Sequence, residues 1–318
     1  MSSFLDLLLY TSNITLPIFI IVFLGWFLRR TSWLTESFIN SGSKLVFTIA
    51  LPALLFIKVL ESDLSAVFDT RQVMFALLVT VAGFLACWRL SGTMKLLPEN
   101  RGVFVQGAFR GNMGIVGLAL CMNMYGDEGL AVGSILLAFL TLLYNVLSVF
   151  ALTLPFHSDK RFDWLSMAKD MAKNPLIIAI VTALVLNLLQ LEPPAIIMKS
   201  GEYFANMTLP LALICVGGSI KLNELKDSNH LALKATLLKL VGLPLLFTLA
   251  ALVMGFKDLA LGTLFLMFAS PTATASFVMA KAMRGNAELA ATIIALSTVL
   301  SLLTVSTGIF VLRALGLA

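Results

Sequence analysis

Two interruptions in otherwise apolar stretches carry the residue types best suited to chemistry in this chain. Phe109-Arg110-Gly111-Asn112-Met113-Gly114 and Phe268-Ala269-Ser270-Pro271-Thr272 lie 158 to 159 residues apart in a sequence of 318. Ser270 before Pro271 reads as an N-cap and first-turn pair, so a helix stops near Phe268 and restarts at Thr272. A restart exposes free N–H groups with about half a positive charge, and Thr272, Thr274 and Ser276 add hydroxyls beside it, which suits an anion. A structural proline kink is the plainer reading. In the first interruption Gly111 and Gly114 let the backbone leave helical geometry, and Asn112 is placed to cap a half-helix resuming at Met113. Close helix packing through small residues is its plainer reading.

Arg110 sits nine residues past Arg101, about 14 Å along a helix, near the centre of an apolar span. It can grip a carboxylate with both guanidinium nitrogens, pair with a structural partner, or snorkel to the membrane surface. Lys44, Glu202 and Lys239 also fall within apolar spans. Glu202 is the one carboxylate well away from a helix end, so it is the candidate coupling residue. Lys199, one turn earlier, offers it an ordinary ion pair. One marginal acid weighs against a cation antiporter, a class that relies on carboxylates at the membrane midplane.

The elements that must position these residues are membrane spans. The chain is 59% hydrophobic and 12% charged, with a mean hydropathy of +0.97, far from the roughly 25% charged residues of soluble proteins. Ten apolar stretches are long enough to span, at 10–29, 37–59, 72–90, 100–124, 129–154, 175–191, 194–220, 231–254, 258–283 and 287–315. The stretch 10–29 has no basic leader and no small-residue cleavage site, so it reads as a retained helix.

Basic residues collect at alternating ends of these stretches. Arg29, Arg30, Arg89, Lys95, Arg101, Lys160, Arg161, Lys169, Lys173, Lys221, Lys226, Lys234, Lys281 and Arg284 share one side; Lys58, Arg71, Lys199, Lys257 and Arg313 share the other. The richer side faces the cytoplasm by the positive-inside rule, which puts both termini outside and five helices in each half. Five per half inverts the second relative to the first. The halves also match in order at one offset: Ala50-Leu51-Pro52 with Thr208-Leu209-Pro210, the two breaks with each other, and Gly126, Leu130, Ala131 with Gly285, Leu289, Ala290. The expected fold is therefore all-α, ten transmembrane helices in two inverted five-helix repeats with broken helices four and nine crossing. The repeats cover 1–154 and 175–318. The polar stretch 155–174, with Trp164, is the cytoplasmic connecting loop.

Pro52 and Pro210 fall inside spans and are expected to bend them. Asn13, Asn145, Asn187 and Asn206 read as amides tying helices together. Cys87, Cys121 and Cys215 lie in apolar spans without metal-ligand spacing. No nucleotide-binding Gly-rich loop with Lys occurs, and the two histidines, His157 and His230, are in loops, so the reading is not an enzyme and takes no cofactor or metal. The net charge of +5 is explained by topology rather than nucleic acid. The partners expected are the lipid bilayer and a small solute moved by a gradient.

The sequence resembles the auxin efflux carrier family in its bacterial permease branch. Asn112 through Tyr125-Gly126 is similar to the fourth-helix segment of those carriers, and Pro271 followed by Phe277-Val278 and Ala280-Lys281 is similar to their ninth. Gly111 and Ala119 stand where plant carriers have prolines around the first-break Asn, and Ser276 replaces their second ninth-helix Pro, which points away from auxin itself. The long hydrophilic loop of plant carriers is absent. The resemblance implies a scaffold of helices one, two, six and seven, a mobile unit of three to five and eight to ten, elevator-like motion, and a homodimer formed through the scaffold. It also implies a permease of the bacterial inner membrane for a small organic anion, a mono- or dicarboxylate such as malonate or malate. Arg110, Gly111, Asn112, Gly114, Ser270, Pro271, Thr272 and Thr274 would bind it. The alternatives are a sodium- or proton-coupled symporter or antiporter of the same architecture, and a membrane sensor that binds ligand without flux.

Overall fold

The structure, a computed structural model, describes residues 4–61, 69–156, 173, 175–191, 193–220 and 230–318. The connecting stretch with Trp164, placed in the sequence at 155–174, lies almost entirely outside the described residues. Among the described residues all regular structure is helical, as lipid requires, because a helix satisfies its own backbone groups. Eleven helices are numbered here in chain order. They are α1 (Phe4–Arg30), α2 (Glu36–Glu61), α3 (Thr70–Thr93), α4 (Pro98–Phe109), α5 (Leu118–Thr153), α6 (Pro175–Leu188), α7 (Ala195–Gly218), α8 (His230–Val253), α9 (Asp258–Ala269), α10 (Ala275–Ala282) and α11 (Ala287–Ala314). Six described stretches are long and apolar enough to cross a bilayer, namely Leu9–Arg30, α2, α3, Met113–Phe156, α8 and α11. α6 and α9 are shorter apolar helices.

Met113–Phe156 contains 44 residues, about 66 Å if straight, twice a hydrocarbon core of about 30 Å. It folds back on itself instead. Gly126 has φ 62° and ψ −147°, a conformation that glycine adopts without side-chain strain. Beyond it, a Cβ placed on Gly133 would lie 3.4 Å from Cys121 Sγ and 3.1 Å from Leu118 Cδ2. Residues so far apart in sequence touch only in a hairpin. Asp127, just past the turn, pairs with Lys58 of α2 at 2.8 Å.

Two prolines are absorbed by widened turns. Pro52 follows a π-turn at Val46–Ala50, and Pro244 follows one at Leu238–Gly242. The wide turn keeps the preceding carbonyl clear of the proline ring and re-aims nearby side chains. Pro210 lies inside α7 without such a turn being assigned there. Among the asparagines, Asn187 donates to Leu60 O at 2.7 Å and so ties α6 to α2.

α1 and α7 approach at glycines, so that a Cβ on Gly217 would collide with the Val22 carbonyl of α1. Backbone cannot yield as a side chain does. Gly217→Ala is expected to cost at least about 1–3 kcal/mol through overpacking, read as a lower melting midpoint in detergent. Gly242→Ala, which meets only Leu238 Cδ2 at 3.4 Å and the Leu237 carbonyl at 3.9 Å, serves as the mild control.

Candidate functional site

α4 ends at Phe109 and α9 at Ala269, and the segments that follow run antiparallel past each other. Gly111 and Thr272 form an isolated bridge. The Asn112 N–H donates to the Pro271 carbonyl at 2.6 Å, and the Ala273 N–H donates to the Arg110 carbonyl at 3.2 Å. The two interruptions found in the sequence therefore meet, and each supplies the other with backbone partners.

The broken helices leave carbonyls whose usual donors sit four residues on. Gly107 O would take its bond from Gly111; the Thr272 hydroxyl donates to it instead at 2.8 Å. Met267 O would take its bond from residue 271, but that is proline, and the Ser270 hydroxyl donates at 2.7 Å. Phe268 O would be served by Thr272, whose N–H goes to Ser297 Oγ of α11 at 3.0 Å. Lys239 Nζ of α8 donates to Phe268 O at 2.7 Å.

Two expectations about capping are corrected here. Asn112 makes no side-chain cap; its backbone carbonyl accepts from Val116 and Gly117. Ser270 does not open the second half-helix but closes α9, and α10 begins at Ala275 with Thr274 before it, not at Thr272. The cause is the pairing itself, which holds Gly111 and Thr272 extended.

Both restarts are consequently left without side-chain caps. Among the described residues, the N–H groups of Met113, Gly114 and Ile115, and those of Thr274 and Ala275, donate to no protein acceptor. Three of these residues, Ile115, Thr274 and Ala275, line a cavity of about 680 Å³. α2 and α7 wall it on one side, with Ser43, Phe47 and Val216, and α11 on another, with Ile294 and Ala295. Its charged residues are Arg29, Glu36, Lys44 and Lys281. Arg29 and Glu36 pair at 3.2 Å. Lys44 and Lys281 are exposed and enter no ion pair among the described residues, so the cavity carries an excess of positive charge.

Of the residues singled out in the sequence, Thr274 lines this cavity. Arg110, Gly111, Asn112, Ser270, Pro271 and Thr272 are buried and do not line it, and Gly114 lies against Leu51 and Leu137. The Arg110 guanidinium reaches α5, with Nη1 donating to Ser148 Oγ and Nη2 to Asn145 Oδ1, both at 3.0 Å. Nη1 also lies 2.9 Å from Met279 Sδ of α10. Glu202 is exposed on α7, outside the cavity lining, and forms no ion pair with Lys199 among the described residues. Sequence reasoning missed Lys44 and Lys281 as lining one cavity, and Lys239 as a partner of the crossing. Lys239 had a visible signal, a charge inside an apolar span.

The family model described as "Membrane transport protein" matches residues 11–163 and 164–309. The chain belongs to the membrane transport protein family, that of the auxin efflux carriers. Proteins similar to it include "Uncharacterized transporter MJ1031" of Methanocaldococcus jannaschii, 26% identical over 92% of this chain and 96% of the relative. "Uncharacterized transporter YfdV" of Escherichia coli K12 is 27% identical over 83% of this chain and 86% of its own. A third, the "Putative malonate transporter" of Rhizobium meliloti, is 24% identical over 95% and 96%. Several apolar helices and this family together make the chain a multi-pass membrane protein.

Proposed function

We propose that the protein is a secondary transporter that carries a small organic anion, a mono- or dicarboxylate, across the plasma membrane by alternating access. The observation that carries this reading is the cavity in which two uncapped helix starts meet the surplus charge of Lys44 and Lys281. Free N–H groups at a helix start bind carboxylates, and unpaired ammonium groups raise the local concentration of anions. Ile115, Thr274 and Ala275 are the contacts we assign to the anion. Arg110, Gly111, Asn112, Gly114, Ser270, Pro271 and Thr272 frame them. A dicarboxylate such as malonate matches two separated sets of donors, and a relative that bears malonate in its name lends the choice support.

In the proposed arrangement ten spans form two inverted repeats, 1–154 and 175–318, with both termini outside the cytoplasm. Helix four then comprises α4 and the first arm of the α5 hairpin, and helix nine comprises α9 and α10. Arg29 and Lys281, which the topology puts on the basic side, line the cavity, which suits an inward-facing state. Elevator-like motion would carry the crossing past α1, α2, α6 and α7, which would also pair two copies.

The test is uptake of radiolabelled malonate, malate and acetate by purified protein in liposomes. Saturable uptake of at least one acid, blocked by the unlabelled acid and not by amines of equal size, is expected. Binding without flux would instead make the protein a sensor.

A further inference from the structure

Of the groups recruited to serve the broken end of α9, one is charged. Ser270 Oγ serves Met267 O, while Phe268 O is served by the ammonium of Lys239, which is 2% exposed. A hydroxyl would satisfy a single carbonyl equally well. A full charge in hydrocarbon surroundings is costly, and Lys239 has no carboxylate to pair with among the described residues. What it does have is the negative end of a helix dipole, about half a charge, concentrated on the last carbonyls of α9.

Nζ is held at the carbonyl end of α9, beside the unwound backbone of the crossing. A Cβ on Gly111 would lie 2.7 Å from Ser270 Oγ and 3.1 Å from Lys239 Nζ, so hydroxyl and ammonium flank the Gly111 backbone at the bridge. Interrupted membrane helices with unwound carbonyls and exposed C-terminal ends coordinate small monovalent cations from solution. The π-turn Leu238–Gly242 contains Lys239, and such a widened turn re-aims a side chain from its regular helical position. We propose that the crossing holds a monovalent-cation site at the C-terminal end of α9, and that the chain fills it permanently with Lys239. The crossing therefore needs no metal cation from solution, which goes beyond the choice of anion and bears on what can couple to transport.

The experiment reads cation binding separately from flux. Wild type, Lys239→Ala and Lys239→Met are purified, and their melting midpoints are compared in choline, sodium, lithium and n-propylammonium chlorides at equal ionic strength. Propylammonium restores the atoms that the alanine variant lacks. Wild type is expected to melt at one temperature in all four salts. Lys239→Ala is expected to melt at least about 5 °C lower in choline and to recover most of that loss in sodium or propylammonium. Lys239→Met, which fills the volume without charge, should stay low in every salt. The proposal is overturned if sodium stabilises wild type, if Lys239→Met is as stable as wild type, or if no cation restores Lys239→Ala. Failure to obtain Lys239→Ala even when it is prepared in propylammonium counts as absence of rescue. A protein that passes these arms yet moves no anion would refute the transport reading and leave the cation site standing.

Discussion

Reversing both cavity lysines, as Lys44→Glu with Lys281→Glu, is expected to lower dicarboxylate uptake at least about a hundredfold, which corresponds to about 2.7 kcal/mol. A unit charge about 8 Å from another is worth about 2 kcal/mol at an effective dielectric of 20, and reversal changes its sign rather than merely removing it. Two reversals against a dianion therefore exceed the requirement even after screening by salt. The fold should be indifferent, because both side chains are exposed and hold no ion pair among the described residues. Melting midpoints within about 2 °C of wild type would confirm that indifference. The single alanine variants should each lose about tenfold, and the loss should shrink as ionic strength rises. Uptake by the doubly reversed protein at half the wild-type rate or better would remove the cavity from the transport path.

The same lysines show what one chain's sequence can and cannot convey. In the sequence Lys281 counts toward topology and toward the ninth-helix resemblance but not toward a site, because a lysine at a helix end looks alike whether it meets lipid headgroups or a cavity. Glycine, proline and asparagine inside apolar runs, by contrast, announced both breaks directly. That the breaks pair with each other depends on hydrogen bonds between residues about 160 positions apart, such as Asn112 to Pro271. Local rules then misassigned Asn112 and Ser270: their cap preferences are real, yet the bridge between Gly111 and Thr272 decides which ends remain to be capped. The polar partners of Arg110 and Lys239 were illegible for a related reason. They lie on α5 and at the end of α9, and which face of α8 turns inward is set by a π-turn that proline chemistry explains only after the fact.

Arg110 is where framing and binding roles can be separated. Arg110→Ala is expected to reduce stability by about 2–5 kcal/mol, since it strips partners from buried Ser148 Oγ and from Asn145 Oδ1, each worth about 1–3 kcal/mol when left unsatisfied. Arg110→Lys retains the charge but not the planar fork that reaches two positions of α5 at once, so it should recover only part of the loss. The readouts are the melting midpoint and the apparent affinity for anion in the fraction that remains folded. Arg110 is outside the cavity lining, so affinity should stay within about threefold of wild type while the midpoint falls. Full stability with affinity lowered tenfold or more would reverse the assignment and place the guanidinium on the ligand, as its types and spacing in the sequence also allow. Asn145→Ala and Ser148→Ala then decide whether the loss travels through α5. In a framing role each should lower the midpoint less than Arg110→Ala does, and combining either with Arg110→Ala should add little, because both remove the same buried contact.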